Sequence, residues 1–332
     1  MKIAIVGAGI VGSTAAYYLS KEKDVEVTVF DHGPGQATKA AAGIISPWFS
    51  KRRNKAWYRM ARLGADFYQE LTSNLENDGY DTSFYDQSGV VLLKKDDGKL
   101  DGLYQYAETR LEESPIIGEL SIKNADELPK FTGFDRCLYA SGGARVEGAE
   151  LTATLIEASG FEKLEGLVTL SSLDNETYEI NAQTFDKVIL ACGAWLGQTL
   201  EPLGFEVDVR PQKGQLRDYF FEGLDTGKLP VLMPEGELDI IPFAGGKISV
   251  GASHENDKGF DLTVDEAVLE GLEEEAKIYF PDLSTAKSFS ERVGTRAYTS
   301  DFSPFFGEVP ELKNVFVASG LGSSGLTTGP LI

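Results

Sequence analysis

Cysteine and histidine are scarce in this chain. Its two cysteines, Cys137 and Cys192, stand in unrelated contexts. They offer neither a disulfide framework nor metal-ligand spacing, so no metal is expected and a reducing compartment fits. His32 and His254 are the only histidines, which leaves few candidates for acid–base work near neutral pH. Long apolar runs are missing too: no stretch reaches the roughly 18 residues of a bilayer span. The apolar start, MKIAIVGAGIVGSTAAYYL, is broken by glycines and followed at once by charged residues. It reads as a folded strand, turn and helix rather than a signal peptide, and a cytoplasmic protein is expected. Positive charge is the last shortage, with 31 Lys and Arg against 52 Asp and Glu and a net charge of −21. That balance argues against general attraction to nucleic acid or anionic lipid. The basic cluster Lys51, Arg52, Arg53 and Lys55 is read as a solvated helix start.

What is present is an ordinary globular composition, 42% hydrophobic and 25% charged over 332 residues, enough chain for one or two domains. Lys2 to Val6 fits a buried parallel strand, and Gly7-Ala8-Gly9-Ile10-Val11-Gly12 follows it directly. A helix is expected from Ser13 to Ser20, then a second strand from Val25 to Phe30 ending at Asp31. The spacing from turn to acid is that of a dinucleotide-binding unit, roughly 20 residues or a little more. Gly7 permits the tight turn, Gly9 lets backbone approach a pyrophosphate, and Gly12 lets helix pack on strand. The helix N-terminus offers unpaired amides to phosphate, and Asp31 would accept from a ribose hydroxyl. Asp31 also speaks against NADP, whose 2′-phosphate it would repel. Between NAD and FAD, the segment Thr38-Lys39-Ala40-Ala41-Ala42-Gly43-Ile44 favours FAD, because small residues in a row let chain pass close to a large flat ligand.

Further on, Asn54 to Asp78 reads as a long helix with an apolar stripe of Trp57, Met60, Phe67, Leu71 and Leu75. Ser88 to Leu93 reads as a strand, and 96 to 135 as irregular. A helix is expected from Ala149 to Ser159, and a small hairpin layer from Leu167 to Leu170 and Tyr178 to Ala182. Asp186 to Ala191 is a second buried strand. From Arg210 the texture is antiparallel: Gln215 to Phe220, Leu238 to Phe243 and Lys247 to Ser253, with Gly245-Gly246 as a turn. A helix over Val264 to Tyr279 and a strand over Asn314 to Ala318 follow. The latter runs into a glycine loop and a helix expected to begin near Leu326 and still run at Ile332. Nucleotide-domain pieces therefore occur at the beginning, middle and end, with sheet-rich insertions between.

These pieces, in order, resemble the D-amino acid oxidase-like flavoproteins, a family that includes glycine oxidase, sarcosine oxidase and bacterial D-amino acid dehydrogenase. The marks span nearly the whole chain: GAGIVG with Asp31, TKAAAGIISP, GGARVEGAEL (142–151) and DKVILACGAWLG (186–197). They continue with RPQKGQL (210–216), IIPFAGGKISVGAS (240–253), RVGTRAYTSDFSPFFG (292–307) and VASGLGSSGLTTGP (317–330).

The resemblance implies an α/β fold, an FAD-binding Rossmann-like (GR2-type) domain with an interleaved antiparallel-sheet substrate domain. Residues 1–80, 141–208 and 290–332 would form the first, and 81–140 and 209–289 the second. Gly7, Gly9, Ile10, Val11, Gly12, Asp31, Thr38, Ala41, Ala42, Gly43 and Ile44 would match FAD-binding positions, with Ala191, Gly193 and Trp195 further on. Val168 would meet adenine through its backbone. Gly322, Ser323, Ser324, Gly325 and Leu326 would match the loop facing the flavin N1–O2 edge. Arg296 would hold a substrate carboxylate, since a planar fork of donors suits bidentate capture. It also sits where sarcosine oxidases carry a flavin-linking cysteine, so FAD is expected to be non-covalent.

Two positions depart from the pattern. Asp239 stands where glycine oxidase has a substrate-contacting tyrosine; it could pair with a substrate ammonium or face solvent. His254 borders the expected substrate cavity and is a candidate proton acceptor if it faces the flavin. The implied reaction is hydride transfer from the α-carbon of a small carboxylate-bearing amine (a D-amino acid, glycine or an N-methyl amino acid) to flavin N5. The resulting imine then hydrolyses. Rival readings are an FAD-dependent 2-hydroxy acid dehydrogenase using His254 as base, an NAD-dependent dehydrogenase, and a non-catalytic flavin-binding protein. The sequence leaves open whether O2 or another acceptor takes the electrons, and whether copies associate into a homo-oligomer.

Overall fold

In the first strand, Lys2–Val6, both faces are apolar because both are covered. Ile3 and Ile5 pack with Val27 and Val29 on one side, and Ala4 and Val6 with Phe30, Val188 and Leu190 on the other. In the computed structural model, which describes residues 1–332 apart from Asn175, this strand lies inside a six-stranded sheet. The order across the sheet is Phe305–Glu308, Val315–Ser319, Lys187–Leu190, Lys2–Val6, Glu26–Asp31 and Glu162–Glu165. All neighbours are parallel except the first pair, which is antiparallel. Helix Ile10–Leu19 follows the glycine turn, and helix Gly148–Ser159 packs beside it.

The second large layer is an eight-stranded, mostly antiparallel sheet. Its order is Ser288–Tyr298, Arg210–Phe220, Lys247–Gly251, Asp239–Phe243, Val231–Met233, Val90–Leu92, Arg136–Ala140 and Leu120–Asn124. Arg145 of the GGARVEGAEL stretch ties this layer to its surroundings. It donates to the carbonyls of Pro242, Gly227 (2.6 Å) and Leu229 (3.2 Å) and to the Asp86 carboxylate at 2.7 Å.

The structure corrects four expectations. Residues 96 to 135 are not irregular: they hold helix Asp97–Glu108, three-ten turns and strand Leu120–Asn124. The helix signal was the cap, Asp96, whose carboxylate accepts from the Lys99 amide at 2.9 Å; Gly98 and Gly102 diluted it. Second, strand Ser288–Tyr298 pairs along its whole length with Arg210–Phe220, so the stretch from 290 to Tyr298 lies in the antiparallel sheet. Third, the small layer is three strands, Ser171–Ser172, Tyr178–Ile180 and Gln183–Phe185, which leaves 167 to 170 as loop. Fourth, the final helix is one short turn, Gly325–Thr328.

The long helix is Lys55–Asn77, and its buried face is Trp57, Ala61, Gly64, Ala65, Tyr68, Leu71 and Leu75. Met60 and Phe67 are only partly buried. Gly64 has a packing reason, since a Cβ there would lie 2.0 Å from the Thr327 carbonyl oxygen. Tyr68 donates to the Leu326 carbonyl at 2.6 Å. The helix therefore fixes the chain's last loop against the parallel layer. Among the described residues, no helix is long and apolar enough to cross a membrane.

Candidate functional site

The glycine turn after the first strand opens one end of a cavity of about 520 Å³. Gly7 has φ +101°, and a Cβ there would meet the Ala191 carbonyl oxygen at 2.3 Å, so the turn and the 191–195 loop are in close contact. Gly9 faces the cavity, with only the Thr38 hydroxyl near it at 3.3 Å. Ile10 and Val11 line the same wall. Gly12 does not: it lies beneath the turn, where a Cβ would strike the Gly7 carbonyl oxygen at 1.8 Å, so it serves helix-on-strand packing.

Asp31 sits at the tip of the second strand, buried. It accepts from the Ala8 amide at 3.0 Å and from the Gln36 amide nitrogen at 2.6 and 2.5 Å. Gly166 donates to the Asp31 carbonyl at 3.0 Å, which brings Val168 to this end. Ala191, Gly193 and Trp195 line the adjoining wall. Burial pushes the nearby Cys192 thiol up to about 12, so it stays protonated at neutral pH. Cys137 is packed in the core behind the antiparallel sheet.

The middle wall is residues 38 to 44. The Thr38 hydroxyl accepts from the Ile10 amide at 3.1 Å and joins this segment to the first helix. Gly43 has φ +81°, with the Val146 carbonyl oxygen 2.0 Å from where a Cβ would be. Ala41, Ala42 and Ile44 face the same space. Arg292 holds the segment from behind, donating to the carbonyls of Lys39 (3.3 Å) and Ala41 (3.1 Å) and to Asp218 at 2.8 Å. The Glu147 carboxylate lies 3.4 Å from Arg292 and also pairs with Lys247. These carboxylates are buried, and the shared cations offset their desolvation.

Opposite lies the last loop. Gly322, Ser323, Ser324, Gly325 and Leu326 all line the cavity, so it and the 38–46 stretch face one space. The Ser323 amide donates to the Tyr298 hydroxyl at 3.2 Å, and the Trp57 indole to Ser324 at 3.3 Å.

The antiparallel sheet closes the far end with Arg296, His254 and Asp239. Arg296 crosses Gly214 on the neighbouring strand and donates to the Ser253 carbonyl at 2.8 Å and the Gln212 amide oxygen at 3.4 Å. Both acceptors are neutral, so among the described residues its charge has no contacting carboxylate. Burial lowers its pKa, opposed by Tyr298, Glu237 and Glu255; a guanidinium nonetheless stays charged. Asp239 is half-buried in the wall, without a hydrogen-bond partner among the described residues, and burial pushes its carboxyl up to about 8. His254 is 35% exposed at the rim, 3.8 Å from Glu237. Burial and then Arg296 lower its pKa while Glu237 raises it, and the net shift is downward. It is therefore a neutral imidazole at pH 7.

Sequence reading missed Gln36, whose carbonyl oxygen is buried without a partner beside Asp31. It missed Thr295, Met233, Glu237, Arg52 and Trp57 as lining residues as well. Arg52, placed in a solvated cluster, stacks over Trp57 at 4.5 Å at the cavity wall.

Residues 2–332 match the family model for DAO, FAD dependent oxidoreductase. An uncharacterized oxidoreductase, YurR, of Bacillus subtilis is 38% identical over 345 residues, covering 99% of this chain and 91% of the relative. The glycine oxidase of Pseudomonas aeruginosa is 29% identical over 343 residues, covering 99% and 92%. The crystal structure of iminodiacetate oxidase (IdaA) from Chelativorans sp. BNC1 superposes with a TM-score of 0.94 at 30% identity, covering 99% of this chain and 92% of that one.

Proposed function

The chain belongs to the FAD-dependent oxidoreductases of the DAO family, and from that membership we propose that it oxidises a small amino acid at the carbon next to nitrogen. FAD is its cofactor, and its reaction class is amine or amino acid oxidation. The finer reading is a glycine-like, D- or N-methyl amino acid held by its carboxylate.

The residues present fit FAD. Gly33, Gly166 and Gly193 border the cavity with nothing within 4 Å of an added Cβ, so backbone faces open space there. The unpartnered Gln36 oxygen beside Asp31 is an acceptor suited to ribose hydroxyls. In this reading Gly7, Gly9, Ile10 and Val11 hold the pyrophosphate at the helix N-terminus, and Asp31 and Gln36 the ribose. Val168 holds adenine, with Ala191, Gly193 and Trp195 on the adjoining wall. Thr38, Ala41, Ala42, Gly43, Ile44 and the 322–326 loop flank the ring. Binding is non-covalent, because Cys192 belongs to the Asp31 end and Cys137 to the core. The parallel layer, two of whose strands come from the 141–208 piece, is the cofactor domain, and the antiparallel sheet is the substrate domain.

When bound, FAD supplies the hydride acceptor. The chain's own contribution is orientation. The observation that carries the proposal is Arg296, an uncompensated guanidinium at the cavity end. A substrate carboxylate completes it and points the α-carbon inward.

Anaerobic mixing with glycine, N-methylglycine, D-amino acids and 2-hydroxy acids tests this. The flavin absorbance should bleach with an amine. A neutral His254 at the rim also gives a 2-hydroxy acid a base for its hydroxyl proton, and bleaching by the hydroxy acids alone would select that reading. Bleaching by none of them ends the proposal. Oxygen uptake with the active amine then tells O2 from another acceptor.

A further inference from the structure

Among the described residues, Asp239 is a half-buried carboxyl group in the cavity wall with no hydrogen-bond partner, and its partial desolvation carries a cost. Its position gives the cost a use. Asp239 pairs in register with Gly251, and the carbonyl that receives Arg296 belongs to Ser253 on the continuation of that strand. Asp239 and Arg296 both line the same cavity. With both side chains turned into the cavity, a small amino acid can touch the guanidinium with its carboxylate and Asp239 with its nitrogen. The other charged or titratable groups toward Asp239 are Glu237 ahead of it on the chain, His254 beyond the adjacent strand, Arg296, and Arg52 from the helix side.

Building on the amine-oxidation reading, we propose that Asp239 pairs with the substrate ammonium and accepts its proton, so that the nitrogen lone pair is free when the hydride leaves. In this step one N–H bond breaks as an O–H bond forms on Asp239; no electrons change owner. His254 is less suited, because an ammonium beside Arg296 and a rim imidazole gains no opposite charge from either. Burial holds the Asp239 acid up at about 8, close enough to an alkylammonium, about 10, for the transfer to be shallow.

Two measurements test it on the FAD-loaded enzyme. The first is the pH dependence of bleaching by the most active amine. For wild type the second-order rate should rise to a break near 8. Asp239→Asn needs substrate already deprotonated, so its break moves to about 10 and it is about 100-fold slower at pH 8. Asp239→Glu should restore the lower break. The second is calorimetry at pH 6.5, in buffers of differing ionisation enthalpy, with an α,α-dimethyl amino acid, which has no α-hydrogen to lose. Wild type should release about one proton on binding and Asp239→Asn almost none. An Asn variant that holds flavin and keeps the wild-type break, or releases the same proton, overturns the proposal while leaving the amine reading standing. Wild type that no amine bleaches overturns both.

Discussion

The Arg296 guanidinium rests on Gly214: a Cβ at 214 would stand 2.5 Å from Nη1 and 2.6 Å from Cζ. The absence of a side chain on one strand thus lets a long side chain on the next cross over and reach Ser253. Gly214 has no left-handed φ, so alanine is tolerated by the backbone, and the atoms nearest its Cβ are those of the Arg296 guanidinium. Gly214→Ala should raise KM for the carboxylate substrate with little change in melting temperature. Arg296→Ala should raise it by an amount worth about 1.5–3 kcal/mol, the range for a hydrogen bond to a charged group. Steady-state kinetics on both variants checks this, and an unchanged KM in Arg296→Ala removes the residue from the substrate.

Gly43 is tested differently, because its constraint is backbone on backbone. Its φ of +81° disfavours a side chain, and the Val146 oxygen 2.0 Å away cannot rotate aside. Gly43→Ala should push the 38–44 wall out of place and leave the purified protein depleted of FAD. Flavin absorbance relative to protein absorbance measures the loss. Full flavin content would show that this wall bends freely.

Much of this was readable in advance, and the reason is physical. Gly7, Gly9 and Asp31 act within one strand-turn-helix unit, so their spacing along the chain is their spacing in space. The 38–46 and 320–327 stretches announce themselves by small residues for a similar reason. Gln36 and Thr295 had no such signal, because their place depends on an edge contact, the bridge between 36 and 295, that links chain ends far apart in sequence. Asp239 and His254 were visible only as departures, and whether they faced the cavity depended on register across three strands. Strand Ser288–Tyr298 went to the wrong layer for the same reason: its partner is Arg210–Phe220, and nothing local encodes a long-range pairing.

Arg292 carries the link between the two layers. It touches two carbonyls of the 38–44 wall and two carboxylates, Glu147 and Asp218, that are 8% and 7% exposed. Arg292→Met keeps much of the volume and removes the charge, leaving Asp218 without its cation. Losing one partner of a buried ion pair costs about 3–5 kcal/mol. Thermal melting should show it, and FAD affinity should fall as the wall loosens. A variant as stable and as yellow as wild type would show that Lys247 suffices for Glu147 and that the Ser249 hydroxyl suffices for Asp218.

Asp239 also predicts how stability depends on pH. Its folded-state pKa, about 8, lies above the ordinary aspartate value of 3.8. The folded state therefore holds the proton more tightly than the unfolded chain does. Relative to a permanently neutral side chain, wild type loses nothing below about 3.8 and progressively more as pH rises toward 8, after which the loss is constant. Asp239→Asn mimics the protonated acid at every pH. Its advantage in Tm over wild type should be absent near pH 4, grow through pH 5 to 8, and level off above. At the plateau it should be worth about 1 kcal/mol or more, roughly 1.5 °C or more for a chain of this size. Melting curves of the ligand-free FAD enzyme across that range decide the matter. A difference that is flat with pH, or that shrinks as pH rises, would mean the Asp239 carboxylate is well solvated in the folded enzyme, and the proton acceptor argued for it would lose its driving force.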